Sequence, residues 1–192
     1  MDTHTELKNY GNLINGKVAP VRSEDTIDSV DPSTGHVWAS VPRSTVEDVE
    51  EAVLSARNAL QTWSNVPALE RSNYLRQIGD AIASHAEELA ELETRDNGWV
   101  IRETLYGLIP SLTSIWYDAA GATSIGSRGE TAQLGANTVG YTLREPLGVV
   151  VGIIPWNAPL FTFSIKAAYA LAAGNTVIIK PSELAAVSSM RL

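Results

Sequence analysis

With 192 residues, 44% of them apolar and 19% charged, the chain can bury a core as one or two domains and has an ordinary globular composition. A formal net charge of −8 opposes nucleic acid as a partner, and no apolar run approaches the roughly 20 residues that span a bilayer. The absence of cysteine excludes disulfides and thiolate metal sites and says little about compartment. The polar start MDTHTELKNYGN lacks a signal-peptide core, so a cytoplasmic location is expected.

Residues 1–11 read as a loose lead-in. Asn15-Gly16, between Leu13-Ile14 and Val18, is a hairpin-turn signal. Residues 26–30 and 36–41 read as short strands about the turn Asp31-Pro32-Ser33-Thr34-Gly35. Ser44-Thr45-Val46-Glu47 reads as a capping box opening a helix, on which Val46, Val49, Val53, Ala56, Leu60 and Trp63 recur at helical spacing. A second helix starts near Pro67 and carries Leu75, Ile78 and Ile82 on one face. Ser84-His85-Ala86-Glu87 reads as another capping box, starting a third helix with Leu89 and Leu92 that Asn97-Gly98 stops. Its acidic residues Glu87, Glu88, Glu91 and Glu93 read as a solvated face. Within 104–123 a helix is expected after Pro110, with Leu112, Ile115, Trp116 and Ala119 on its apolar side. Residues 121–137, rich in Gly and Ser, read as a loop, and the alternation over 138–144 predicts a half-exposed antiparallel strand. His4, His36 and His85 have no carboxylate or serine partner in view and read as surface or structural residues.

The chain is organised around 147–183. Residues 147–154 form a continuous apolar run ended by Pro155, as expected of a strand buried on both faces. Pro159 suits the first turn of a helix running to about Ala173, and Gly174 is placed where a left-handed residue would stop it. Residues 176–179 are a second apolar strand, ended by Pro181. Strand, crossover helix and strand make a right-handed parallel unit. Parallel neighbours end on one sheet edge, so Pro155-Trp156-Asn157 and Lys180-Pro181-Ser182-Glu183 emerge together where open α/β sheets bind ligands. No G-x-G-x-x-G follows the first strand, so ordinary pyrophosphate cradling is not encoded here.

PWNAP, a helix carrying Lys166, and ALAAGNTVIIKPSE together resemble the NAD(P)-dependent aldehyde dehydrogenases. LINGK at 13–17, DPSTGHV at 31–37 and the helical stretch ending at Trp63 fit the same family. The resemblance implies an α/β fold with N-terminal helices, the first βαβ of a parallel Rossmann-type sheet and part of a β-hairpin oligomerisation arm, incomplete in this chain. It divides the chain into 1–125, the N-terminal part of a cofactor-binding domain, 126–145, the arm strand region, and 146–192, the truncated βαβ. The implied activity is oxidation of a small-molecule aldehyde to a carboxylic acid by a homo-oligomer. Asn157 is then the catalytic candidate, its carboxamide donating to the oxyanion, although Asn in this position also reads as a helix cap. Ile153, Ile154, Pro155 and Trp156 would give backbone and apolar contact to the cofactor, with Trp156 as plain core the alternative. Lys180 and Glu183, flanking Ser182, would meet the adenosine ribose hydroxyls, and a carboxylate at Glu183 favours NAD while Lys180 leaves NADP open. Their alternatives are a solvated strand end and the start of the next helix. Lys166 reads either as a family lysine or as a snorkelling surface lysine. The helix carrying Trp116 and Tyr117 would flank the aldehyde tunnel, or those two residues are core. Ala158, where many relatives carry a bulky aromatic, points to a wider or branched substrate.

The family's nucleophilic cysteine and general-base glutamate would lie beyond Leu192, and residues 185–192 read as the opening of a helix. The expectation is therefore an N-terminal fragment of an aldehyde dehydrogenase, inactive alone. The alternative is a non-catalytic dinucleotide-binding or interaction protein.

Overall fold

The computed structural model describes residues 7–19, 22–23, 25–126 and 128–192, so His4 lies outside the described residues. The expected lead-in is in part a strand. β1 (Lys8–Asn9) pairs in parallel with a strand at His36–Pro42, whose Ser40 hydroxyl donates to Asn9 Oδ1 at 2.6 Å. Asn15 and Gly16 both take positive φ, 53° and 69°, the turn whose twist suits a hairpin between β2 (Leu13–Ile14) and β3 (Lys17–Val18). β4 (Thr26–Asp31) and β5 (His36–Pro42) are antiparallel about the predicted turn, where the Asp31 carboxylate accepts from the Ser33 N–H at 2.8 Å.

The helices form where expected, but with shifted ends. α1 (Val46–Trp63) is capped one residue later than Ser44 and Glu47 predict. Thr45 accepts from the Asp48 N–H at 3.4 Å, and Asp48 accepts from the Thr45 N–H at 2.8 Å. Ser44 is engaged elsewhere, bonded to Asn12 at 2.9 Å, and Arg22 holds Asp48 at 3.0 Å. Val46 and Val49 face solvent instead of the core. α2 (Ala68–Ser84) and α3 (Ala86–Asn97) meet at His85, the N-cap of α3, which makes no side-chain capping bond. Ser84 is the last residue of α2 and donates to the Ala81 carbonyl at 2.9 Å, so the second capping box does not form. Gly98, at φ 86°, ends α3 as predicted.

The next helix starts well before Pro110. α4 (Ile101–Glu103) passes through a π turn (Thr104–Leu108) into α5 (Ile109–Gly126). The wide turn accommodates Pro110, which has no N–H to give the preceding turn. Part of the expected loop over 121–137 is thus helix, and part is β6 (Thr131–Gly135), paired antiparallel with β7 (Thr138–Tyr141). Leu134, Val139, Tyr141 and Leu143 are all exposed, so this hairpin is bare and not half-covered.

β8 (Val149–Ile153), α6 (Pro159–Ala172) and β9 (Thr176–Lys180) form the predicted parallel unit, with Gly174 at φ 88° closing the helix. β8 is not buried on both faces, because Val151 and Ile153 are exposed. α1 is joined to the start of β9, where Thr176 Oγ1 donates to the Ala56 carbonyl at 2.9 Å. The main core joins α2, α5 and α6 through Leu75, Ile82, Leu112, Trp116 and Leu160. Trp116 is core, its indole N–H donating to Ser164 Oγ at 3.2 Å, whereas Tyr117 is exposed and donates to the Asp80 carboxylate. Trp63 and Arg71, from α1 and its neighbour α2, donate to the carbonyls of Leu171 and Ala172 at the end of α6, each at 3.2 Å. No helix among the described residues is long and apolar enough to cross a membrane.

One acidic residue departs from its expected solvated face. Glu93 is fully buried between α3 and α7 (Val187–Arg191), where its carboxylate accepts from Ser188 Oγ at 2.6 Å. Asp96, also buried, accepts from the N–H groups of Val187 and Ser188 at 2.8 and 3.3 Å and from Ser29 Oγ at 2.7 Å. Burial pushes the Glu93 carboxyl up to about 7, against a Ser188 hydrogen bond that pulls it down. Its folded form keeps a proton that the unfolded form has lost. Its contribution to stability is therefore full below about pH 4.5 and declines as pH rises through about 7. Replacing Glu93 by Gln should remove that decline. Relative to the parent, E93Q should gain up to about 3 kcal/mol between pH 5 and about pH 8 in urea melts.

Candidate functional site

The parallel register builds the site. Ile153 lies opposite Lys180, and the Ile154 N–H donates to the Lys180 carbonyl at 3.1 Å, so both strands leave the sheet at one edge. From β8 come Pro155, Trp156 and Asn157, all exposed, after the buried Ile154. From β9 come Lys180 and Glu183, joined by an ion pair at 3.4 Å with both side chains more than half exposed. Glu183's own backbone N–H, and after it the Lys180 ammonium, hold the Glu183 carboxyl below the usual carboxylate range. Ser182 Oγ accepts from the Leu184 N–H at 3.3 Å, shaping the turn that carries the pair.

The alternatives left open by the residues separate here. The N-cap of α6 is Ala158, with no side-chain capping bond, so Asn157 does not cap that helix. Its carboxamide is exposed, while its backbone carbonyl accepts from the Trp99 indole N–H at 2.9 Å. Trp156 is exposed and not core. Glu183 does not open a helix, since α7 begins at Val187. Lys166 is exposed and lays its stem along Gly152, as a snorkelling lysine does.

Beside Asn157 lies a cleft of roughly 290 Å³, lined by Trp99, Glu103, Gly107, Ser111, Ala158 and Phe161. A second cleft of about 280 Å³ is also lined by Trp99, together with Pro32, Arg95 and Gly98. Of the first set only Ala158 stood out in the sequence. Gly107 and Ser111 flank the end of the π turn, which leaves no hydrophobic periodicity to read. Trp99 follows the Asn97-Gly98 stop, and its distant partner could not be inferred from local pattern. Among the described residues no group of three His, Cys, Asp or Glu side chains could hold a metal ion. The edge does fit a dinucleotide. Glu183 and Lys180 offer one acceptor and one donor, and Ile153 and Trp156 offer exposed apolar surface.

Residues 20–192 match the family model described as the aldehyde dehydrogenase family. The chain is 44% identical over 184 residues to an aldehyde dehydrogenase of Vibrio cholerae, covering 95% of this chain and 36% of the relative. It is 42% identical to an acetaldehyde dehydrogenase of Pseudomonas aeruginosa, covering 91% of this chain and 34% of that protein. Among solved structures it superposes on an NAD-dependent aldehyde dehydrogenase from Sinorhizobium meliloti with a TM-score of 0.91 at 35% identity, covering 99% of this chain and 38% of that one. An NAD+ complex of aldehyde dehydrogenase from Bacillus cereus gives a TM-score of 0.91 at 34% identity, over 96% of this chain and 38% of the other. The chain thus spans about a third of the length of the curated relatives it matches.

An exposed ion pair contributes little to folding. Substituting Lys180 by Met should therefore leave the thermal unfolding midpoint of the chain unchanged within experimental error. A clear drop would mean that the pair serves the fold and not a ligand.

Proposed function

The chain belongs to the aldehyde dehydrogenase family, and on that premise we propose that it forms the cofactor-facing part of an enzyme oxidising a small-molecule aldehyde to a carboxylic acid with NAD. The observation that carries this reading is the parallel register of β8 and β9, which delivers Asn157 and the Lys180–Glu183 pair to one sheet edge beside a cleft. Bound NAD supplies the hydride acceptor. Glu183 accepts from a ribose hydroxyl and Lys180 donates to one, while the Glu183 carboxylate repels a 2′-phosphate and so favours NAD over NADP. Ile153, Ile154, Pro155 and Trp156 give the cofactor backbone and apolar contact, and Ser182 holds the Glu183 turn in shape.

Asn157 is the catalytic residue of this chain. Its uncommitted carboxamide N–H donates to the oxygen on which charge develops when the aldehyde carbonyl is attacked, without itself titrating. The cleft between Trp99, Gly107, Ala158 and Phe161 is the approach for the aldehyde, and the methyl of Ala158 leaves it wide. The chain contains no cysteine. The attacking thiolate therefore comes from the remainder of a full-length enzyme, and we assign the base that activates water for hydrolysis to the same part. We assign 1–125 and 146–192 to its cofactor-binding domain and 126–145 to an arm by which copies associate. The bare apolar residues Leu134, Val139 and Tyr141 support that assignment, because a second copy would cover them. We place the enzyme in the cytoplasm, with no nucleic-acid partner.

In the full-length enzyme N157A should lower kcat by about 10²–10³ with little change in KM for the aldehyde, measured as NADH formed at saturating cofactor. The 192-residue chain alone should form no NADH from any aldehyde. Turnover by it would overturn the requirement for an outside thiolate.

A further inference from the structure

We infer that Trp99 is a positioning residue for Asn157. The inference rests on the oxyanion role of Asn157 and names what holds that residue in place. Asn157 stands in an exposed turn, and its side chain makes no capping bond to the helix that follows. What fixes its peptide is the Trp99 indole N–H, which donates to the Asn157 carbonyl at 2.9 Å, an ordinary length for an N–H···O bond. The two residues lie 58 positions apart, so the bond ties the end of α3 to the start of α6.

Trp99 is itself held. Its backbone N–H donates to Asn97 Oδ1 at 2.9 Å. Gly98 before it sits at φ 86°, and a Cβ there would lie 2.9 Å from Pro32 Cγ, so only glycine delivers the chain to this position without strain. The residue lines both clefts, with its indole N–H donating to Asn157. Indole has a further property that suits the task. It is a donor only, so it cannot accept from the Asn157 carboxamide, and both amide protons stay available to a reacting oxygen. Tyrosine or histidine at this position could capture one of them.

Trp99→Phe keeps an apolar ring and removes the donor. In the full-length enzyme W99F should lower kcat about tenfold, the scale of one neutral hydrogen bond, while KM for the aldehyde stays within about twofold. In an N157A background W99F should cost nothing further in kcat, because no amide remains to be positioned. Equal losses in the two backgrounds would show a general structural role and overturn the inference. Unchanged kcat with a raised KM would reduce Trp99 to a wall of the cleft and overturn it too. If N157A alone retains kcat, the oxyanion role fails and this inference falls with it, which separates the two failures. Should W99F not fold, hydrogen exchange of the indole protons in the unaltered chain decides the matter. The Trp99 indole should exchange more slowly than the exposed Trp156 indole, and equal rates would overturn the bond.

Discussion

The last carbonyls of α6 are where the two halves of this chain are tied together. A helix leaves its final carbonyls without partners of its own, and here the Trp63 indole and the Arg71 guanidinium serve Leu171 and Ala172. Both donors come from over 100 positions earlier in the chain. Arg71 is buried, and its charge faces the negative end of the helix it caps. Just beyond, Gly174 turns the chain at φ 88°, and Asn175 accepts from the Gly148 N–H at 3.0 Å, binding the start of β9 to the start of β8. With those starts aligned, the register runs without slip to Ile153 and Lys180, and the edge that carries the site follows. The position of Asn157 therefore depends on groups at the opposite end of the sheet.

Much of this was legible in the residues. The run of Val and Ile bounded by Pro155, the Pro159 start and the Gly174 stop specify the βαβ unit, because each is a local rule that tertiary structure did not override. The Asn15-Gly16 and Asp31–Gly35 turns were readable for the same reason. The site edge followed from topology alone, since parallel strands leave no choice about where their ends meet.

What was not legible depends on partners distant in the chain. The Ser44 capping box reads as well as the Thr45 one until Asn12 occupies Ser44 and Arg22 pins Asp48. Glu93 belongs by pattern with Glu87, Glu88 and Glu91, and only Ser188, 95 positions later, shows why it turns inward. β1 is two residues long and has meaning only beside β5. Val151 and Ile153 read as interior because a two-stranded unit has the composition of a larger sheet, yet among the described residues β8 pairs with β9 alone and both side chains are exposed. Trp99 joins this group. Its neighbours explain where it is held, but its function is visible only across the gap to Asn157.

The π turn before α5 makes one stretch of chain serve two tasks. It is closed by the Ile109 N–H on the Thr104 carbonyl and holds one residue more than an α turn. Each residue of an α-helix advances the side chains by about 100°. The extra residue therefore acts as a phase shift. Downstream, Leu112, Trp116 and Ala119 face the core while Ser111 lines the cleft, and within and before the turn Leu105 and Leu108 pack on the core while Glu103 and Gly107 line the cleft. Gain or loss of a single residue in this turn would re-aim the cleft lining and displace Leu105 or Leu108 from the core at the same time. The lining of the cleft and the packing of the core are thus coupled through one turn, and substitution leaves more freedom there than a change in length.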